Sequence, residues 1–176
     1  MLKLNRRAMI ALAAAATAAI SPALAQETTT ATTAGVPGDF SLGSPDAPVK
    51  IVEYASFTCP HCAHFHETVF KTLKTDYIDT GKVQFTLREV YFDRYGLWAA
   101  MVARCGGDMR YFGIHDMLFA QQQDWAASQD PTEVVGKLKT IGLTAGLDQA
   151  ALDTCLNDQA QAEALIKQFE TNMAAD

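Results

Sequence analysis

The chain has 176 residues, 49% of them apolar, with 14 Lys and Arg against 20 Asp and Glu for a formal net charge of −6. That length suits one domain with a packed core. The acidic balance excludes a protein built to grip nucleic acid, whose phosphates demand a basic surface.

The first 25 residues read as a signal peptide. Lys3, Arg6 and Arg7 give a basic start, Ala8 to Ile20 an apolar stretch, and Ala23-Leu24-Ala25 a small-x-small cleavage site. A stretch of thirteen residues falls short of the ~20 a membrane-spanning helix needs, so the expected product is exported and not stably inserted in a membrane. Arg6-Arg7 leaves both the general and the twin-arginine export routes open. Cleavage removes three positive charges and no negative ones, leaving 11 Lys and Arg against 20 Asp and Glu, a net −9. All four cysteines, Cys59, Cys62, Cys105 and Cys155, lie beyond the cleavage site. An even count in an exported chain makes disulfides expected.

Residues 26–39, rich in Thr, Ala and Gly, read as a flexible linker. Residues 40–92 then carry a strand, helix, strand pattern. Val49 to Ala55 has apolar residues in both alternate sets and predicts a strand buried on both faces. From Pro60, the positions Cys62, Phe65, Val69, Leu73 and Tyr77 predict one helix with a buried stripe, ending at Gly81. Val83, Phe85 and Leu87 alternate with polar residues, a second strand parallel to the first through a right-handed crossover. Residues 93–176 read as helices only, with Asp93, Asp108, Asp130, Asp148 and Asp158 as caps. Asp130-Pro131-Thr132-Glu133 adds Pro at the first helical position and Glu three residues past the cap.

Between the first strand and its helix stands Cys59-Pro60-His61-Cys62. Cysteines at i and i+3 on the first helical turn bring their sulfurs within bridging reach. Cys59 falls at the cap, where free backbone N–H groups and the positive end of the helix favour a thiolate. Cys62, one turn in, is more sheltered. The arrangement makes Cys59 the sulfur that exchanges with a partner and Cys62 the one that resolves the mixed disulfide. Pro60 fixes the first helical φ, and a protonated His61 would add positive charge beside the thiolate. Strand, Cys-x-x-Cys and helix in this order mark a thioredoxin-like redox motif.

Glu53-Tyr54-Ala55-Ser56-Phe57-Thr58-Cys59-Pro60-His61-Cys62 resembles the active-site segment of the DsbA family of periplasmic dithiol oxidases. Leu87-Arg88-Glu89-Val90-Tyr91 and Ala103-Arg104-Cys105-Gly106 resemble segments of its alphaproteobacterial members, and the helical block resembles the family's helical insertion. The resemblance covers about residues 40 to 175. It implies an α/β, thioredoxin-like fold with a helical insertion, a strongly oxidising Cys59/Cys62 pair and no cofactor or metal. The partners it implies are reduced or unfolded exported proteins and a membrane reoxidase of DsbB type. It also places Glu53 where the family has a buried acid, able to relay the proton of Cys62. Cys105 and Cys155, left over from the local pair, are expected to form a structural disulfide, with two free thiols or a second redox pair as the alternatives.

Other readings stand beside the oxidase. A disulfide isomerase or reductase of the same fold would use the same pair. A metal-binding protein would draw on Cys59, Cys62 and His66, whose spacing is helical, although no fourth ligand is evident; Ala63 excludes the Cys-x-x-Cys-His haem pattern. His115 reads as a helix-face residue, and Phe57, Phe65, Phe92, Trp98, Phe112 and Trp125 as core. The family also carries a cis proline facing the cysteines and further strands after the helical block. None of the six prolines, Pro22, Pro37, Pro45, Pro48, Pro60 and Pro131, follows that block. The C-terminal strands are therefore expected to be missing, leaving a two-stranded parallel sheet and a truncated product, marginal alone or a non-catalytic remnant.

Overall fold

The computed structural model describes residues 38–175; the signal peptide expected at 1–25, and the expected linker except Gly38 and Asp39, lie outside the described residues. Those two linker residues are tied down: Asp39 pairs with Arg88 at 2.9 Å, and the Gly38 carbonyl accepts from Arg104.

One sheet, in the order β1-β3-β2, forms the floor of the site. Strand β2 (Val49–Ala55) and strand β3 (Val83–Glu89) run parallel, in register from Val49 opposite Val83 to Ala55 opposite Glu89. Strand β1 (Phe40–Leu42) pairs antiparallel with β3, Phe40 opposite Leu87. The expected two-stranded sheet is thus corrected to three. Three residues are too few for an alternation to register, and β1 is fixed by distant contacts: Phe40 stacks on Tyr111 at 3.7 Å and lies under the Arg104 guanidinium. After β1 the chain turns at Gly43, φ +86°, where a Cβ would collide with the Val83 carbonyl.

Central strand β3 follows its alternation, with Val83, Phe85, Leu87 and Glu89 all buried. Strand β2 departs from expectation. It lies at the sheet edge among the described residues, and Val49 and Val52 are exposed while Ile51, Glu53 and Ala55 turn inward.

Helix α1 crosses the inward face as four contiguous stretches: α-helical Pro60–Phe65, π-helical His66–Phe70, α-helical Lys71–Leu73 and π-helical Lys74–Ile78. The wider π turns move the buried stripe. His66, Phe70 and Ile78 are buried, whereas Val69 and Tyr77, expected inside, are about half exposed. A helix of 3.6 residues per turn was the wrong ruler for this segment.

The helical block follows β3 as α2 (Arg94–Cys105), α3 (Gly107–Ala120), the short α4 (Gln122–Trp125), α5 (Pro131–Thr144), α6 (Gln149–Leu156) and α7 (Gln159–Ala175). Asp93, Asp130 and Asp148 cap α2, α5 and α6 through their carboxylates, and Asp158 accepts from the Gln161 N–H at the start of α7. Asp108 does not cap α3, which starts one residue earlier at Gly107 without a side-chain cap. Glu133 turns to Ser128 and Lys137 instead of closing a capping box.

Helix α2 is the hub: Ala99, Ala100, Val102 and Ala103 are sealed between the sheet and the other helices. Small residues there let the backbones approach, and Leu118, Leu138 and Leu152 fill the layer above, each worth about 1.5–3 kcal/mol on burial. Phe57 and Trp125 are core, but Phe92 is 72% exposed, against expectation. No helix among the described residues is long and apolar enough to cross a membrane.

Candidate active site

Strand β2 delivers the chain into the loop Ser56-Phe57-Thr58, and three anchors hold that loop. Phe57 is buried against the rings of Phe119, 5.1 Å away, and His115, 5.8 Å away. Thr58 donates its hydroxyl to Asp93 Oδ2 at 2.6 Å, while Asp93 Oδ1 accepts from the N–H groups of Tyr95 and Gly96. One carboxylate therefore caps α2 and clamps the loop. The third anchor is Gln122, 5% exposed, whose amide Nε2 donates to the carbonyls of Phe57 at 2.8 Å and Cys59 at 2.9 Å. Sequence reasoning missed Gln122, since a polar run of Gln121, Gln122 and Gln123 shows no period that singles out the middle one. It read Asp93 only as a cap.

Cys59 occupies the N-cap of α1 with extended backbone, φ −81° and ψ 118°, and Pro60 takes the first helical position. Both cysteines are free thiols, partly buried. Burial pushes the Cys59 thiol up. The Cys62 N–H, the Cys62 thiol and the His61 N–H together outweigh that and hold it below its ordinary value. Cys62 is driven the other way, to about 11, first by burial and then by donating to Cys59. The negative charge of Glu53 adds a smaller upward push on both sulfurs. The result is an asymmetric pair, with an outer sulfur that ionises readily and an inner one that keeps its proton. His61 acts here through its backbone N–H; its side chain is exposed, as is that of His64.

Glu53, on the inward face of β2, is 15% exposed at its side chain and accepts from or shares a proton with His66 Nε2 at 2.9 Å. His66 stacks flat on Phe119, ring centroids 4.4 Å apart, and meets His115 edge to face at 4.4 Å. His115 is fully buried in α3; burial lowers its pKa, partly countered by Asp116, whose Oδ1 is 3.0 Å from Nδ1. His115 is thus a neighbour of the site, not a plain helix-face residue. The set Cys59, Cys62 and His66 does not assemble for a metal among the described residues; His66 gathers with His115 and Asp116 instead.

Cys105, ending α2, and Cys155, in α6, form a disulfide across 50 residues with Cα atoms 5.9 Å apart. Beside it, Glu89 at the end of β3 takes both oxygens to Arg104 Nε at 3.0 Å and accepts from Tyr111 at 2.8 Å. Sheet, α2 and α3 are locked together by that buried pair.

The family model described as Thioredoxin matches residues 35–176. The crystal structure of Wolbachia pipientis alpha-DsbA1 superposes with a TM-score of 0.72 at 33% identity, over 80% of this chain and 70% of that one. The chain belongs to the thioredoxin-like DsbA family. A Rickettsia bellii protein provisionally named a protein-disulfide oxidoreductase is 40% identical over 129 residues, covering 73% of this chain but 49% of its own. This DsbA-family chain therefore spans about half the length of the curated relatives it first matches. Disulfide bond formation protein D of Bacillus subtilis is 28% identical over 148 residues, 66% of its length. The oxidised structure of BdbD from the same organism, 24% identical with a TM-score of 0.68, shares the fold.

Proposed function

We propose that the chain carries the thiol:disulfide exchange centre of a DsbA-type oxidase that donates the Cys59–Cys62 disulfide to reduced proteins. The observation that supports it most is the asymmetry of the pair, with Cys59 held below the ordinary thiol value and Cys62 raised to about 11. A substrate thiolate attacks Cys59 Sγ, the Cys59–Cys62 bond breaks, and Cys62 leaves and takes up a proton. A second substrate thiolate then attacks the substrate sulfur of the mixed disulfide, and Cys59 departs as a stabilised thiolate. The substrate dithiol is oxidised to a disulfide, and the pair is reduced. A leaving thiol of low pKa departs faster, which drives the second step forward.

Glu53 takes the role of proton relay for Cys62, Pro60 and the backbone of His61 tune Cys59, and the Cys105–Cys155 bridge is structural. Reduced exported proteins are the substrates and a DsbB-type membrane protein the reoxidant, in the periplasm reached through residues 1–25. No observation favours an isomerase or reductase over this reading.

The test is to mix the oxidised chain with a reduced, unfolded protein that needs disulfides. Substrate thiols should disappear in step with reduction of Cys59–Cys62, and Cys62→Ala carrying glutathione in a mixed disulfide at Cys59 should lose glutathione to an attacking substrate thiolate and stay linked to the substrate through Cys59. Trapping through Cys105 or Cys155, or no exchange at all, would overturn the reading.

A further inference from the structure

Beneath α1, two buried imidazoles face each other, each with a carboxylate at one nitrogen: Glu53 on His66 Nε2 at 2.9 Å, Asp116 on His115 Nδ1 at 3.0 Å. Their other nitrogens, His66 Nδ1 and His115 Nε2, are buried and have no hydrogen-bond partner. The side chains are 4% and 0% exposed. An orphaned polar nitrogen in a packed core is costly, and two side by side call for something that binds them.

Ligating atoms of His66, His115 and Asp116 lie within 4.8 Å of one another. Donors around a tetrahedral zinc ion stand about 3.3 Å apart, given bonds of about 2.0–2.2 Å, so the three need to close by roughly 1.5 Å at most. Asp116 is 58% exposed at its side chain, and in making that movement its carboxylate exchanges the 3.0 Å contact with His115 Nδ1 for the ion. His66 and Asp116 also line an open groove of about 960 Å³ between α1 and the end of α3, which gives an ion a way in and a water a place beside it.

We propose that His66, His115 and Asp116 form a site for a divalent transition metal of the zinc type, with a groove water completing the shell. Two imidazoles and one carboxylate with an open position are a donor set that suits such an ion. Glu53 becomes the outer partner of a ligating histidine, the arrangement that fixes ring orientation in metal sites. The site takes no sulfur ligand, although it shares Glu53 with the cysteine pair, and it differs from the Cys59, Cys62 and His66 set weighed on sequence grounds. It depends on none of the disulfide chemistry.

The test titrates the full chain, with Cys59→Ser and Cys62→Ser to remove the thiols, using Zn²⁺ against a chromophoric chelator and Co²⁺ by visible absorption. One ion per chain with a tetrahedral Co²⁺ spectrum is expected. Asp116→Asn, at an exposed position that leaves packing intact, should weaken binding at least tenfold, and His115→Gln should abolish it. Glu53→Gln should weaken it about 10–100-fold, as loss of an outer partner does. No binding at millimolar metal, or affinity unchanged in Asp116→Asn with its folded circular dichroism retained, would overturn the proposal.

Discussion

His66 Nε2 lies 2.9 Å from Glu53 Oε2, which ties the acid below the cysteine pair to the helix that the pair begins. The contact is local in space but spans 13 residues of sequence, and it decides where the negative charge of Glu53 is held. That charge pushes both sulfurs upward, as the lesser influence after burial and the contacts between the cysteines. Glu53→Gln should therefore lower the pKa of Cys59 and of Cys62 together, read from thiolate ultraviolet absorbance against pH in single-cysteine variants. Two unmoved titrations would remove Glu53 from the site.

The raised pKa of Cys62 links redox chemistry to stability. In the reduced protein, Cys62 binds its proton more tightly when folded, so its favourable contribution is fully present below the ordinary thiol value of 9.0 and is lost as pH rises through about 11. Urea denaturation of the dithiol form should show stability falling across that window, and Cys62→Ala should flatten the fall. Cys59 works in the opposite sense: its contribution is present above the ordinary value and is lost as pH falls through its depressed one.

Gln122 holds two carbonyls of the active-site loop, those of Phe57 and Cys59. Gln122→Ala leaves both without this donor and should cost about 1–3 kcal/mol in denaturant unfolding. The same change should slow exchange at Cys59 while the second disulfide stays intact. A variant as stable as the parent would show that water replaces the amide.

Glu89 and Arg104 are 3% and 7% exposed at their side chains, a buried ion pair with Tyr111 as an added donor. Glu89→Ala strands the guanidinium and should cost about 3–5 kcal/mol. Replacing both by apolar residues of like volume should recover most of that loss. The two variants, compared by calorimetry, separate the cost of stranding a charge from the net worth of the pair.

What sequence alone disclosed follows the range of its signals. The order β2, Cys-x-x-Cys, α1, β3 is written in local periodicity, and four of the five expected caps, at Asp93, Asp130, Asp148 and Asp158, accept from the first turns of their helices as read. Strand β1 was not legible, because its three residues owe their place to Leu87, Tyr111 and Arg104 far along the chain. The buried side of α1 was misread at Val69 and Tyr77 because π turns change the period. Gln122 reaches Cys59 across 63 residues, and His115 reaches His66 from another helix. A single sequence carries no trace of contacts of that kind.

The most direct measurement is the equilibrium of the two disulfides of the chain with a graded glutathione buffer, each followed by alkylation and mass analysis. A stabilised Cys59 thiolate favours the reduced pair, so Cys59–Cys62 should be fully reduced at glutathione ratios where Cys105–Cys155 remains oxidised. If Cys59–Cys62 resisted reduction as strongly as Cys105–Cys155, the pair would be a structural bridge and the oxidase account would be contradicted.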